Sequence, residues 1–121
     1  MSNPTILDPT NTIHGLYRGY QNNSTKPSVV VQAYLDEIER LNPRLGAYQN
    51  TWADTALEMA AAADKALAAR FVAGPVHGMP YALKDIFHVK GKVTTCGSAA
   101  MLDNIASTTS TMVQRLKAAG G

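Results

Sequence analysis

The sequence has one cysteine, few aromatic residues and no long apolar run. Cys96 alone cannot form an intramolecular disulfide, which fits either a reducing compartment or a protein that needs no disulfides. No window reaches the length of a membrane span, and the N-terminus lacks the basic start and apolar stretch of a secretory signal. We therefore expect a cytoplasmic protein without a membrane partner.

The sequence also lacks a strong charge of either sign and a cluster of metal-binding side chains. Eleven basic and nine acidic residues give a net charge of +2, and no stretch gathers Lys or Arg into a basic stripe. Nucleic acid is therefore not an expected partner. His14, His77 and His88 lie far apart, without a second ligand at a metal-binding spacing, so neither a metal nor a cofactor is predicted.

What the sequence does contain is helical periodicity in four stretches. Apolar residues recur at three- and four-residue steps and predict helices over about residues 12–20, 27–41, 52–70 and 111–119. The second helix is expected to stop before Pro43, because a proline disfavours the helical conformation of the residue before it. Ser110 is an acceptable N-cap for the last helix. Residues 1–8 are interpreted as an extended lead-in.

Short apolar stretches between the helices predict strands. Residues 45–51 are interpreted as a short strand linking two helices, and residues 81–83 as a second strand that leads into a turn through Asp85. A further extended piece follows that turn. Helices combined with short strands predict an α/β fold, of which the chain contains only a part.

The stretch GPVHGMPYALKDIF, residues 74–87, and the following VKGKVTTCGSAAML, residues 89–102, together resemble the amidase-signature family. In that family a Gly-Pro-Leu-His-Gly-Ile-Pro run leads into a strand ending in Lys-Asp, and a Gly-x-x-Thr-Thr-x-Gly-Ser loop follows. The flanking segments VVVQAYLDEIERLNPRLGAY and TMVQRLKAAG are also similar, so the resemblance covers about residues 28–120. An ordered series of motifs is more specific than any single short pattern.

The resemblance implies a catalytic lysine, Lys84, in a Ser-cisSer-Lys triad that hydrolyses carboxamide C–N bonds. A serine hydroxyl is a weak nucleophile until a base removes its proton, and burial of a lysine favours the neutral amine that can do so. We expect Lys84 at the end of a strand, with its amine buried once the complete fold surrounds it. The two serines of the triad have no counterpart in this sequence, and the chain alone is expected to be inactive.

The fold implied by the resemblance is a partial amidase-signature fold, made of N-terminal helices and the first strands of a mixed central sheet. Residues 1–26 are interpreted as a lead-in with a short helix, and residues 27–121 as the N-terminal portion of an amidase domain, truncated before its serine-containing segment. A small-molecule amide is the expected substrate of the full-length enzyme.

Other residues of the motifs are interpreted as structural. Asp85 is expected to hold the turn through hydrogen bonds and Ser98 to close one, while His77 is expected to be structural and Cys96 to be a small packed residue. Gly74, Gly78 and Pro80 are expected to set the backbone geometry before the strand.

Two alternatives stay open. The chain could be a non-catalytic interaction module or pseudo-enzyme that pairs with another polypeptide through an unfinished sheet edge. It could instead be a fragment of a glutamyl-tRNA amidotransferase A subunit, a member of the same family whose loop the TTC and Ser residues partly match. In each case apolar stripes on the helices are expected to be exposed and to favour self-association and low stability; they comprise Val31, Leu35, Ile38, Leu57, Leu67, Val113 and Leu116.

Overall fold

The computed structural model describes residues 12–121. It contains four α-helices: α1 (Ile13–Gln21), α2 (Pro27–Leu45), α3 (Ala53–Ala68) and α4 (Thr111–Ala118), with a 3₁₀ helix at Ala99–Met101 before α4. The four predicted helices are confirmed, with boundaries that differ by a few residues. The lead-in predicted over residues 1–8 lies outside the described residues.

The core forms where α1 meets the start of α2. The Thr12 hydroxyl caps α1 by accepting a hydrogen bond of 3.0 Å from the Gly15 backbone N–H. The buried side of α1 then packs with residues from α2 and from the turn beyond α3. The buried members of this cluster are Leu16, Tyr20, Val30 and Met79, with Tyr17, Tyr34, Leu67 and Val76 partly buried around them.

Helix α2 continues past Pro43 to Leu45, so the prediction that it ends before this proline is wrong. A proline in the last turn removes only its own hydrogen bond to the preceding turn, and the cost is tolerated there. The helix ends at Gly46, whose backbone adopts a left-handed conformation (φ 58°) and whose N–H bonds the Asn42 carbonyl at 2.8 Å. This is a common way to end a helix.

The strand predicted at residues 45–51 is also wrong, because the segment after Gly46 is irregular. The Asn42 side chain bonds the backbone of Tyr48 instead. Its NH₂ group donates to the Tyr48 carbonyl at 2.8 Å, and its carbonyl oxygen accepts from the Tyr48 N–H at 2.8 Å. Local side-chain hydrogen bonds of this kind compete with regular secondary structure.

Helices α2 and α3 pack against each other through small residues and one polar contact. Ala60 and Ala63 are the buried residues of α3. The N-cap of α2, Lys26, provides no side-chain cap. Asp64 of α3 takes that role by accepting from the Ser28 N–H at 3.2 Å and from the Ser28 hydroxyl. A carboxylate near a helix N-terminus satisfies free N–H groups and interacts favourably with the helix dipole.

The chain between α3 and α4 is held by antiparallel pairing without a regular strand. Val93 and Ile105 form an isolated bridge. Hydrogen bonds run from Gly91 N–H to the Ala106 carbonyl at 2.9 Å and from Thr94 N–H to the Asn104 carbonyl at 3.0 Å. No strand is assigned within residues 12–121, including residues 81–83, because nothing in that part of the chain forms a continuous ladder with them. The sheet of the predicted α/β fold therefore stays a prediction.

The apolar stripes expected to be exposed are largely covered within the chain. Val31 is 6% exposed and Val113 is fully buried, and the other stripe residues are half-buried. The exposed apolar surface is spread over several other segments, which include those around the 3₁₀ helix and the Asp85 turn. Its most exposed members there are Ile86, Leu102 and Ile105, at 51%, 62% and 65%.

Candidate functional site

Lys84 lies at the entrance of a tight turn between α3 and α4. Its carbonyl accepts hydrogen bonds from the N–H groups of Ile86, at 2.7 Å, and Phe87, at 3.1 Å. The Lys84 side chain is exposed in the described part of the chain. Its backbone is therefore ordered by the turn, while its position at a strand end and the burial of its amine in a complete enzyme stay predictions.

Asp85 joins this turn to the loop that begins at Thr95. Its carboxylate accepts from the Thr95 N–H at 3.0 Å and from the Thr95 hydroxyl, and its carbonyl accepts from the Cys96 N–H at 2.9 Å. The two hydrogen bonds that Thr95 donates to the carboxylate, first the one from its hydroxyl, lower the pKa of Asp85. These contacts agree with the turn-holding role expected for Asp85.

Thr95 is the buried partner in this arrangement, with 8% of its surface exposed. Its hydroxyl oxygen accepts from the Gly97 N–H at 3.1 Å and lies 3.3 Å from Gln49 Oε1. A hydroxyl has one proton to donate, and a carboxylate is the stronger acceptor, so the proton goes to Asp85. We name the pair of carboxylate hydrogen bonds the Asp85–Thr95 contact.

His77 is 5% exposed and both of its ring nitrogens contact backbone groups. Nδ1 accepts from the Ala73 N–H at 3.2 Å, which places the ring proton on Nε2, 3.2 Å from the Ala63 carbonyl. The ring thus joins α3 to the segment that follows it. This geometry agrees with the structural role predicted for His77.

Two glycines before Lys84 are required by close backbone contacts. Gly78 has a φ of 69°, and a Cβ there would lie 2.5 Å from Pro27 Cγ; a Cβ on Gly74 would lie 2.4 Å from the Ala119 carbonyl oxygen. The Gly78 N–H also bonds the Gly120 carbonyl at 2.8 Å. The turn thereby packs against both α2 and the end of α4, as its predicted geometric role requires.

Tyr20 fixes the same turn from α1. Its hydroxyl donates to the Gly78 carbonyl at 3.2 Å, and burial, with a smaller effect of the nearby Asp64 charge, raises the pKa of this phenol. The tyrosine therefore stays neutral and able to donate.

Cys96 is exposed and has a φ of 54°, so the expectation of a packed cysteine is wrong. It lies at the corner of a turn that points its side chain outward. The same turn is closed by the Ser98 N–H, which bonds the Thr95 carbonyl at 2.9 Å, and the predicted turn role of Ser98 is confirmed.

The hydrogen bonds between Thr95 and Asp85 were not predicted from the sequence. A threonine two residues before Gly97 indicates a turn in which its hydroxyl bonds the backbone, since threonine hydroxyls often bond nearby backbone groups in turns. Its second partner, ten residues back along the chain, had no local signal.

Within residues 12–121, no three or more His, Cys, Asp or Glu side chains gather where they could hold a metal ion. In the same residues, no helix combines the length and apolar character needed to cross a membrane.

The helices of this chain pack around a glycine-containing turn that is followed by Lys84. The amidase family matches residues 29–121, and the chain belongs to this family.

Among curated proteins, the glutamyl-tRNA(Gln) amidotransferase A subunit of Thiobacillus denitrificans is 44% identical over 91 residues, which cover 75% of this chain and 19% of that protein. Its counterpart in Methylococcus capsulatus is 42% identical over 110 residues, which cover 90% of this chain and 22% of that protein. The chain thus spans about a fifth of the length of the curated relatives it matches.

Solved structures show the same fold. The peptide amidase of Stenotrophomonas maltophilia aligns with a TM-score of 0.83 and 28% identity over 98% of this chain and 24% of that one. A chain from a vestigial protein complex, studied for the evolutionary origins of an s-triazine catabolic enzyme, aligns with a TM-score of 0.84 and 29% identity over 90% of this chain and 24% of that one. These neighbours are consistent with the α/β class.

Proposed function

We propose that this chain is the lysine-bearing part of a serine-type amidase that hydrolyses carboxamide C–N bonds. The observation that carries the proposal is the combination of family membership with a turn that presents Lys84 four residues after the GPVHGMP segment. In the proposed mechanism the neutral amine of Lys84 accepts a proton, relayed by a second serine, from the nucleophilic serine.

The nucleophile and the oxyanion donors would come from residues outside this sequence. Three serines follow Lys84 here, namely Ser98, Ser107 and Ser110. Ser98 closes a turn. Ser110 stands at the predicted N-cap position of α4, where its side chain makes no capping hydrogen bond and its N–H bonds the His88 carbonyl at 2.9 Å. None of them stands in a glycine-rich turn that could stabilise an oxyanion. Stabilisation of the oxyanion is usually the largest contribution to the catalysis of acyl transfer. The 121-residue chain by itself is therefore expected to release no ammonia from an amide.

A second candidate concerns the substrate. The curated relatives named above are 42–44% identical to this chain, whereas the solved amidases are 28–29% identical. This difference favours an amidotransferase A subunit, in which the amide would be an ammonia donor such as glutamine, over an amidase that acts on free peptide amides.

The test is a chimera in which this chain replaces the matching 110 residues of the Methylococcus capsulatus relative. Ammonia release is measured with glutamine, a simple carboxamide and a peptide amide. We expect turnover by the chimera and its loss in Lys84→Ala, by a factor of about 10²–10⁴ for a missing proton acceptor. Lys90→Ala is the matched control, because Lys90 is also exposed and lies in the same inter-helix segment.

Two outcomes would contradict the proposal. Turnover that survives Lys84→Ala would remove this lysine from the mechanism, and amide hydrolysis by the 121-residue chain would show that its own residues suffice. The ranking of glutamine against the peptide amide separates the two substrate candidates.

A further inference from the structure

We propose that Asp85 and Thr95 are positioning residues for Lys84, and that the contact between their side chains fixes where the lysine amine is presented. The inference deepens the proposed amidase function and rests on it. It concerns residues that would act through Lys84 and would not themselves touch the substrate.

Hydrogen bonds hold the backbone on both sides of Asp85. The Lys84 carbonyl is bonded by the N–H groups of Ile86 and Phe87, and the Asp85 carbonyl is bonded by the Cys96 N–H at 2.9 Å. The Asp85 carboxylate adds two hydrogen bonds from Thr95. The residue after Lys84 is thus held at three points by one loop, without any strand partner.

The loop that bonds Asp85 is itself anchored to the segment before α4. The Thr94 N–H bonds the Asn104 carbonyl at 3.0 Å, and the Asn104 side chain bonds the Thr94 carbonyl at 2.8 Å. Thr94 and Thr95 are 2% and 8% exposed. The Asp85–Thr95 contact therefore ties the exposed Lys84 to a buried part of the chain.

The hydrogen bonds of the Asp85–Thr95 contact are charge-assisted. A hydroxyl and an N–H that both donate to one carboxylate form stronger bonds than neutral pairs. A lysine has a long side chain with many rotamers, and a base works only within hydrogen-bond reach of its proton donor. Fixing the backbone at the next residue removes one source of misplacement, and a displacement near 1 Å can cost about 10²-fold in rate.

The structural half of the test uses the 121-residue chain and amide hydrogen exchange. In Thr95→Val, which removes the hydroxyl and keeps the volume, we expect the Ile86 and Phe87 amides to exchange about tenfold faster or more, because local opening of the turn becomes easier. Thr95→Ser, which keeps the hydroxyl, should restore protection. Thr94→Val is the matched control, since it is the same change at a buried neighbour that does not contact Asp85.

The functional half uses the chimera described above and a double-mutant cycle. Thr95→Val is expected to lower kcat by about 10- to 100-fold with little change in KM, whereas Thr95→Ser and Thr94→Val stay within about threefold of the parent. The same Thr95→Val change is then made in the Lys84→Ala background, with an activated ester that keeps residual turnover measurable. In the Lys84→Ala background, Thr95→Val should no longer lower kcat, because a positioning residue has no effect once its lysine is absent.

The outcomes separate this inference from the proposed function. If Lys84→Ala is inactive but Thr95→Val keeps its kcat, the positioning role is refuted and the amidase function stands. If the cost of Thr95→Val is unchanged in Lys84→Ala, the role is merely structural and the inference fails. If Lys84→Ala is fully active, the proposed function fails first. Should Thr95→Val unfold, the isosteric Asp85→Asn is put through the same cycle and decides the question.

Discussion

Gly78 and Gly46 offer a matched pair for testing how this chain uses glycine. Both have a left-handed backbone, with φ of 69° and 58°, but their surroundings differ. A Cβ on Gly78 would lie 2.5 Å from Pro27 Cγ and 2.9 Å from Pro27 Cβ, whereas a Cβ on Gly46 would meet nothing within 4 Å. The two alanine substitutions therefore share the cost of the left-handed conformation and differ in the clash.

The magnitudes follow from these contacts. The left-handed conformation costs a non-glycine residue about 1–2 kcal/mol, and this applies to both substitutions. Inserting a methyl group into a filled space costs a further 1–3 kcal/mol or so, which applies only to Gly78 because the buried Pro27 ring is rigid. We expect Gly78→Ala to lower the free energy of unfolding by about 2–5 kcal/mol and Gly46→Ala by about 1–2 kcal/mol.

The assay is urea unfolding of the 121-residue chain, followed by the helical circular dichroism signal. Because a small domain has only about 5–15 kcal/mol of stability, the two variants should have clearly different midpoints. Equal losses at the two positions would refute the reasoning, since they would show that the close approach to Pro27 has no energetic consequence. A Gly78→Ala variant as stable as the parent would refute the assigned backbone geometry as well.

Three further predictions concern the core, pH and association. Val113→Ala should lower the free energy of unfolding in urea by about 2–3 kcal/mol, because the side chain is fully buried. Met112→Ala is the control and should have little effect, because Met112 is exposed. Equal effects would contradict the assigned packing. The pKa of Asp85 is lowered in the folded chain, so its stabilising contribution is present above its unfolded pKa of about 3.9 and lost as the pH falls through the folded value. Asp85→Asn should therefore flatten the acid limb of the stability curve, and an unchanged limb would argue against the contact. The exposed apolar side chains should make the 121-residue chain associate as concentration rises, and Ile105→Asp should reduce this in size-exclusion chromatography; a concentration-independent monomer would count against it.

The sequence by itself determined the helices and the family. Helical periodicity depends on local spacing, so all four helices could be predicted, and the glycines before Lys84 could be assigned a geometric role because their residue type has few other uses. The family was recognisable for a different reason, namely the order of several motifs along the chain.

Only the structure decided the features that depend on specific hydrogen-bond partners, whether these lie near or far along the chain. The Asn42 side chain bonds Tyr48 in a segment that was predicted to be a strand. Helix α2 ends at Gly46 and not before Pro43. The hydroxyl of Thr95 reached Asp85 across ten residues, a distance that no local pattern reports. Side-chain hydrogen bonds and burial arise only when segments meet in space, and for that reason the surroundings of Lys84 could not be derived from the sequence.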